Sequence, residues 1–277
     1  MRRFEYARPD TLAEAIALLE HEGAQAKVLA GGTDLLIRLR DGTLTPAVVV
    51  DVKRIPEMRP SISEDRGWVR VSAGTSMTAV LESPLIQRSF PALAEAASFV
   101  GSVQIRNRAT LAGNQCNASP AADTTTPLLV YGATVVCFGP AGERRIPLDD
   151  FFVRSGVTTL GVGELVTAIE LPLPGGVVGS GFQRRTRRRG HDLASVTVSV
   201  ALAEDGVRLA YGSLGPRPRL LTGPAGSEEE LLERAVAEAT PSPTSMRAGP
   251  EYRLAMLRVL GGRAIEAARL GLRGAAA

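Results

Sequence analysis

The sequence predicts an α+β chain in three parts, and three observations carry the prediction. A strand, a glycine turn and a helix follow one another near the start; a mixed stretch of strands and short helices runs up to Pro172-Leu173-Pro174-Gly175-Gly176; beyond that break come antiparallel strand patterns and two amphipathic helices. The expected units are 1–56, 57–175 and 176–277. At 277 residues, 44% of them hydrophobic, the chain is long enough to bury such cores.

In the first unit, Thr11-Leu12-Ala13-Glu14 forms a capping box, and Leu12, Ala15, Ile16 and Leu19 share one helical face. Residues 27–30 read as a short strand entering Gly31-Gly32, and 34–39 as a helix that Asp41-Gly42 ends. The β-branched run at 48–52 reads as a buried strand. In the second unit, 68–73 alternates as a strand should, and helices are expected at 77–82 and 92–100. A glycine loop follows at 110–114, then a helix opening near Asp123 with Pro127 in its first turns. Strands at 133–138 and 143–147 flank a Gly-Pro-Ala-Gly turn, and 165–171 is a further strand. In the third unit, 181–185, 195–203 and 207–214 read as antiparallel strands, and 228–239 and 251–269 as helices, with the alanine-rich tail from Gly271 frayed.

Composition narrows the function classes. The net charge is +3, but only Lys27 and Lys53 of the 32 basic residues are lysines, so the run Arg184-Arg185-Thr186-Arg187-Arg188-Arg189 reflects a chain-wide arginine preference. That run reads as a solvated strand or a partner-facing edge rather than a nucleic-acid footprint, and at 4% aromatics there are few stacking platforms. No secretory h-region and no apolar window of membrane-spanning length is present, which with two cysteines, Cys116 and Cys137, points to the reducing cytoplasm. Two cysteines cannot hold a four-cysteine cluster, and His21 and His191 suggest neither a metal site nor a triad; no metal and no catalytic residue is assigned. Walker, dinucleotide-fingerprint and Gly-x-Ser-x-Gly motifs are missing, and no base near Cys116 marks it as a nucleophile.

Two segments remain: Leu29-Ala30-Gly31-Gly32-Thr33-Asp34-Leu35-Leu36, and Thr110-Leu111-Ala112-Gly113-Asn114 running on to Ala118-Ser119-Pro120-Ala121-Ala122-Asp123. Glycines let the backbone approach a ligand and turn its N–H groups inward, which suits an anion. Thr33, Thr110, Asn114 and Ser119 add neutral hydrogen-bonding groups. A carboxylate at Asp123 would repel phosphate, so its suitable partner is a hydroxyl. On spacing alone the reading stops at a nucleotide or a diphosphate.

These segments, with Gln104-Ile105-Arg106-Asn107-Arg108-Ala109, Gly163-Glu164-Leu165-Val166-Thr167-Ala168 and Asp192-Leu193-Ala194-Ser195-Val196, resemble the FAD-binding medium subunit of the molybdenum hydroxylases. Xanthine dehydrogenase and aerobic carbon monoxide dehydrogenase are the best-known members. The resemblance implies a two-part FAD-binding domain of the vanillyl-alcohol-oxidase (PCMH) type followed by a C-terminal domain of antiparallel strands and helices. It implies noncovalent FAD with its diphosphate between 29–36 and 110–114, a flavin contact at Asp123, and positions near the flavin at Val100, Val166 and Gln183. Those last three depart from relatives, Gln183 standing where a lysine is found.

The same resemblance implies an electron-transfer subunit. A molybdopterin large subunit would oxidise the substrate, an iron–sulfur small subunit with two [2Fe–2S] clusters would relay electrons, and FAD here would pass them to NAD, oxygen or a quinone, in a two-fold pair of heterotrimers. The alternatives are a self-sufficient flavin oxidase of the same fold, a non-enzymatic nucleotide-binding accessory subunit, and, least favoured, a nucleic-acid-binding module.

Overall fold

The computed structural model describes residues 2–176, 178–188 and 190–275. Strand β1 (Glu5–Ala7), helix α1 (Leu12–Glu22), β2 (Ala26–Leu29), α2 (Leu35–Arg40) and β3 (Val48–Asp51) form the first layer. Their strands make a parallel sheet in the order β1-β3-β2, with Val50 opposite both Ala7 and Val28. Helix α1 starts where Thr11 accepts a hydrogen bond from the Glu14 amide, while the Glu14 carboxylate reaches back to the Asp10 amide. It buries Ala15, Ile16 and Leu19 and ends at Gly23. All three strands run the same way, so the carboxyl ends of β2 and β3 open side by side.

Strands β4 (Ile62–Asp65) and β5 (Trp68–Ser72) form a hairpin whose turn residues Arg66 and Gly67 both have positive φ, as a two-residue type I′ turn requires. Helices α3 (Met77–Glu82), α4 (Pro84–Ser89), α5 (Pro91–Ser98), α6 (Val103–Arg106), α7 (Leu111–Cys116) and α8 (Thr125–Val130) follow. Then come β6 (Thr134–Gly139), β7 (Gly142–Pro147), α9 (Leu148–Phe151), the short pair β8 (Phe152–Arg154) and β9 (Val157–Thr158), and β10 (Leu165–Pro172). The main sheet runs β4-β5-β10-β6-β7, antiparallel throughout. Its central strand β10 is buried from Leu165 to Leu171, hence its nearly unbroken apolar run.

The last part is a meander, β11 (Gly179–Arg185), β12 (Val196–Ala203), β13 (Gly206–Gly212) and β14 (Arg219–Gly223), followed by α10 (Glu228–Glu238) and α11 (Pro250–Ala275). One sheet face carries Val196, Val198, Val200 and Leu202 into a separate core with Leu257, Leu260 and Ala264 of α11. The other face meets α8: Ser199 donates to Thr126 at 2.9 Å, and every residue of α8 is buried. Expected boundaries shift by one or two residues in most elements. The tail expected to fray from Gly271 instead continues α11 to Ala275, and 276–277 lie outside the described residues. Between described residues, no helix is long and apolar enough to cross a membrane.

Candidate functional site

The first glycine segment leaves β2 at the carboxyl edge of the parallel sheet and turns into α2. Gly32 makes the turn with φ +76°, and its carbonyl accepts the Leu36 amide. Gly31 serves a different purpose: a Cβ there would lie 2.2 Å from the Arg108 carbonyl oxygen. Its missing side chain lets the first segment rest backbone to backbone on the residues leading into the second. A polar latch reinforces the contact. Asn117 donates to Asp34 at 3.4 Å and accepts from Arg38 at 2.7 Å. Thr33 and Leu35 are half-buried beside it, while Leu36 is 52% exposed.

The second segment is not the open loop the glycine suggests. Thr110 caps α7 by accepting the Gly113 amide at 3.0 Å, so Thr110-Leu111-Ala112-Gly113-Asn114 is the cap and first turns of a helix and Gly113 has no positive φ. Leu111 and Ala112 are buried and offer a ligand only backbone, whereas Gly113 is exposed. Asn114 accepts from Thr124 at 2.7 Å and from Gln115 at 3.3 Å, and Gln115 in turn accepts from Thr125 at 2.8 Å. Ser119 accepts the Ala121 amide at 3.3 Å. This network ties α7 to α8 and leaves the Asn114 amide nitrogen as its unused donor among the described bonds.

Where the two segments meet, a cavity of about 270 Å³ opens, lined by Ala30 and Gly31 from the first, Thr110 from the second, and Lys53, Met58 and Arg108. Asp123 lies apart from it, at the start of α8, 9% exposed. Arg184 on β11 faces it, with Nε 3.1 Å from Oδ1 but misaligned, so that neither atom has a hydrogen-bond partner among the described residues. Burial pushes the Asp123 carboxyl up to about 7, the nearby guanidinium only partly offsetting it. Arg184 also stands 5.1 Å over the Phe99 ring and donates to the Asp192 carbonyl at 2.7 Å. Val100, the residue after Phe99, is half-buried, and Gln183, also half-buried, precedes Arg184 on β11 and so lies on the opposite face of the strand. Val166 is 4% exposed in the core, opposite Cys137 where the ladder slips.

Residues 2–174 match the family described as the FAD binding domain in molybdopterin dehydrogenase. The chain belongs to that family. It is 32% identical to the xanthine dehydrogenase FAD-binding subunit of Escherichia coli O157:H7, over 92% of each chain. It is likewise 32% identical to the carbon monoxide dehydrogenase medium chain of Hydrogenophaga pseudoflava, over 96% of this chain and 97% of that one. The structure of carbon monoxide dehydrogenase from that organism, lacking the Mo-pyranopterin moiety of its cofactor, superposes with a TM-score of 0.91 at 30% identity, covering 98% and 99% of the two chains. Quinoline 2-oxidoreductase from Pseudomonas putida 86 superposes at 0.87 with 25% identity over 98% and 99%.

The residues present fit FAD. Two basic residues, Lys53 and Arg108, and the polar residues Ser76, Asn107 and Thr110 line the cavity joining the segments, which suits a dianionic diphosphate, and a buried carboxylate with an unpaired oxygen is available for a hydroxyl. Three residues beyond those the sequence pointed to now stand out: Lys53, Arg108 and Arg184. Arg184 corrects the reading of the arginine run as solvated, because its side chain is only 10% exposed while Arg185 and Arg187 do face water. Strand alternation carried the signal: two residues after buried Phe182, Arg184 falls on the same inward face.

Proposed function

We propose that this chain is the FAD-carrying electron-transfer subunit of a molybdenum hydroxylase of the xanthine or carbon monoxide dehydrogenase kind. The observation that carries the reading is the backbone contact of Gly31 with Arg108, which brings both motif segments onto one cavity. In this reading the backbone of 29–36 and of 110–114 holds the diphosphate, with Thr33, Thr110 and the free Asn114 amide adding donors. Ser119 and Asp123 face the ribityl or ribose hydroxyls, and Val100, Val166 and Gln183 define the flavin end. When bound, FAD supplies an exchange between one-electron donors, the [2Fe–2S] clusters of an iron–sulfur subunit, and a two-electron acceptor such as NAD, oxygen or a quinone. A molybdopterin subunit completes the heterotrimer, two of which pair, in the cytoplasm. The division at 56 and 175 belongs to the same reading.

Purified chain should release FAD on heating, and deflavinated chain should rebind it with a rise in melting temperature. Coexpressed with an iron–sulfur and a molybdopterin subunit, it should copurify in a complex whose flavin absorbance is bleached by substrate. Absence of FAD from the heat-released supernatant together with no rebinding would overturn the cofactor assignment. Reduction of the isolated chain's flavin by a small organic substrate at turnover rates would overturn the subunit role in favour of a self-sufficient oxidase.

A further inference from the structure

Of 32 basic residues only two are lysines, and one of them, Lys53, stands at the cavity between the two glycine segments. It follows β3 by two residues, at the carboxyl edge of the parallel sheet, where β2 delivers Ala30 and Gly31 to the same cavity. Ligands of parallel sheets sit at that edge because neighbouring connections diverge there and leave a crevice. Lys53 does not hang free over it. Its Nζ is 2.7 Å from Asp51 Oδ1, its own amide donates to the same oxygen at 3.0 Å, and Tyr6 from β1 donates to Oδ2. Asp51 is 4% exposed, so the three groups form a fixed mount on adjacent strands, while the lysine side chain remains 43% exposed.

Resting on the FAD reading above, we propose that Lys53 is the cationic clamp on the cofactor's diphosphate, held in position by Asp51 and Tyr6. An ammonium has three donors; Asp51 uses one and two remain for phosphate oxygens. This explains a lysine in a chain that otherwise uses arginine. A guanidinium would close on Asp51 through two parallel N–H groups and present a rigid fork, whereas an ammonium is a compact charge shared between carboxylate and anion. Arg108, on the same cavity and without a carboxylate within 4.0 Å among the described residues, supplies the second positive charge that a dianion needs.

The test is FAD titration of the deflavinated full-length chain, read by flavin fluorescence, with ADP as competitor to report the diphosphate end alone. Lys53→Gln should weaken both FAD and ADP about ten- to a hundredfold, the range for losing a charged hydrogen bond, and should flatten the salt dependence of binding. Lys53→Gln strands the buried Asp51 carboxylate and can lower stability for that reason alone. The double variant Asp51→Asn with Lys53→Gln removes both charges and should show the same weakening in a chain that melts near wild type. Asp51→Asn by itself leaves the full lysine charge to the ligand and should bind FAD at least as tightly as wild type. Wild-type affinity in the double variant, or a Lys53→Gln chain that melts early yet binds FAD and ADP unchanged, would mean that Lys53 only neutralises Asp51. That result would overturn the clamp and leave the FAD reading standing; failure of wild type to bind FAD would overturn the reading itself.

Discussion

Gly31, Gly32 and Gly113 sit within the two motif segments, yet the structure assigns them different costs on replacement by alanine. At Gly31 the new Cβ would be 2.2 Å from the Arg108 carbonyl oxygen, against ordinary contact from 3.4 Å, so the two backbones must part by about 1.2 Å. Little there can give: Arg108 and Ala109 both donate to the Ile105 carbonyl, and the Ala109 carbonyl accepts from Met77. The cost should therefore fall in the overpacking range, about 1–3 kcal/mol. At Gly32 the obstacle is the backbone at φ +76°, on the order of 1–2 kcal/mol for a residue with a Cβ, because the nearest atoms belong to the movable side chains of Leu29 and Leu36. At exposed Gly113 the helix gains about 1 kcal/mol from alanine, and the new Cβ 2.7 Å from Thr110 Oγ1 weakens a cap of similar worth. Thermal melting of the three deflavinated variants should rank Gly31→Ala lowest, Gly32→Ala next and Gly113→Ala within a degree or two of wild type, at about 2–4 °C per kcal/mol. FAD titration then separates fold from site. Gly113→Ala, neutral for the fold, should still bind FAD more weakly, because its Cβ crowds the Thr110 hydroxyl at the edge of the cavity. A Gly31→Ala chain with wild-type melting and wild-type FAD affinity would refute the argument that this glycine exists to join the two segments.

Burial raises the Asp123 carboxyl from 3.8 to about 7, so between those values the folded apo chain holds a proton that the unfolded chain has released, and stability falls as pH rises toward 7 and is flat above. Asp123→Asn should lose this slope, its advantage over wild type growing by on the order of 2–3 kcal/mol between pH 5 and pH 8 in urea unfolding, and parallel curves would count against the assignment. Tyr131 donates to Ser180 at 2.6 Å and accepts the Ala92 amide at 3.1 Å, joining α5 to β11. Tyr131→Phe leaves the buried Ala92 amide without its acceptor and should cost about 1–3 kcal/mol by the same unfolding assay.

The strands and helices with a strong period were legible in the sequence, the turns and short helices less so. The capping box at Thr11 and the apolar run of β10 report local interactions, and local interactions are what a single sequence displays. The β4–β5 hairpin is hard to see in the sequence because its turn is Arg66-Gly67, and the first position of such a turn usually carries asparagine, aspartate or glycine. Helix α7 reads as a loop in the sequence because Gly113 suggests one, although Thr110 three residues earlier is the cap that starts the helix. The two motif segments were legible as one site only through their wording. That they touch follows from Gly31 meeting Arg108, a contact between residues far apart in sequence whose trace in the sequence is one small residue.

The same limit applies to charge. A count of arginines treats each as an independent surface charge and cannot tell Arg184 from its exposed neighbours. Its environment depends on three separate elements: Asp123 at the head of α8, Phe99 after α5 and the Asp192 carbonyl before β12. A guanidinium brought to 10% exposure with Nε unpaired gives up much of its hydration, and its neighbouring carboxylate gives up more, as the upward shift of Asp123 shows. As a source of stability such a pair is poor. In the proposed reading Asp123 is the polar group kept for a ligand, since a hydroxyl donating to it would favour the ionised carboxylate and restore its attraction to Arg184.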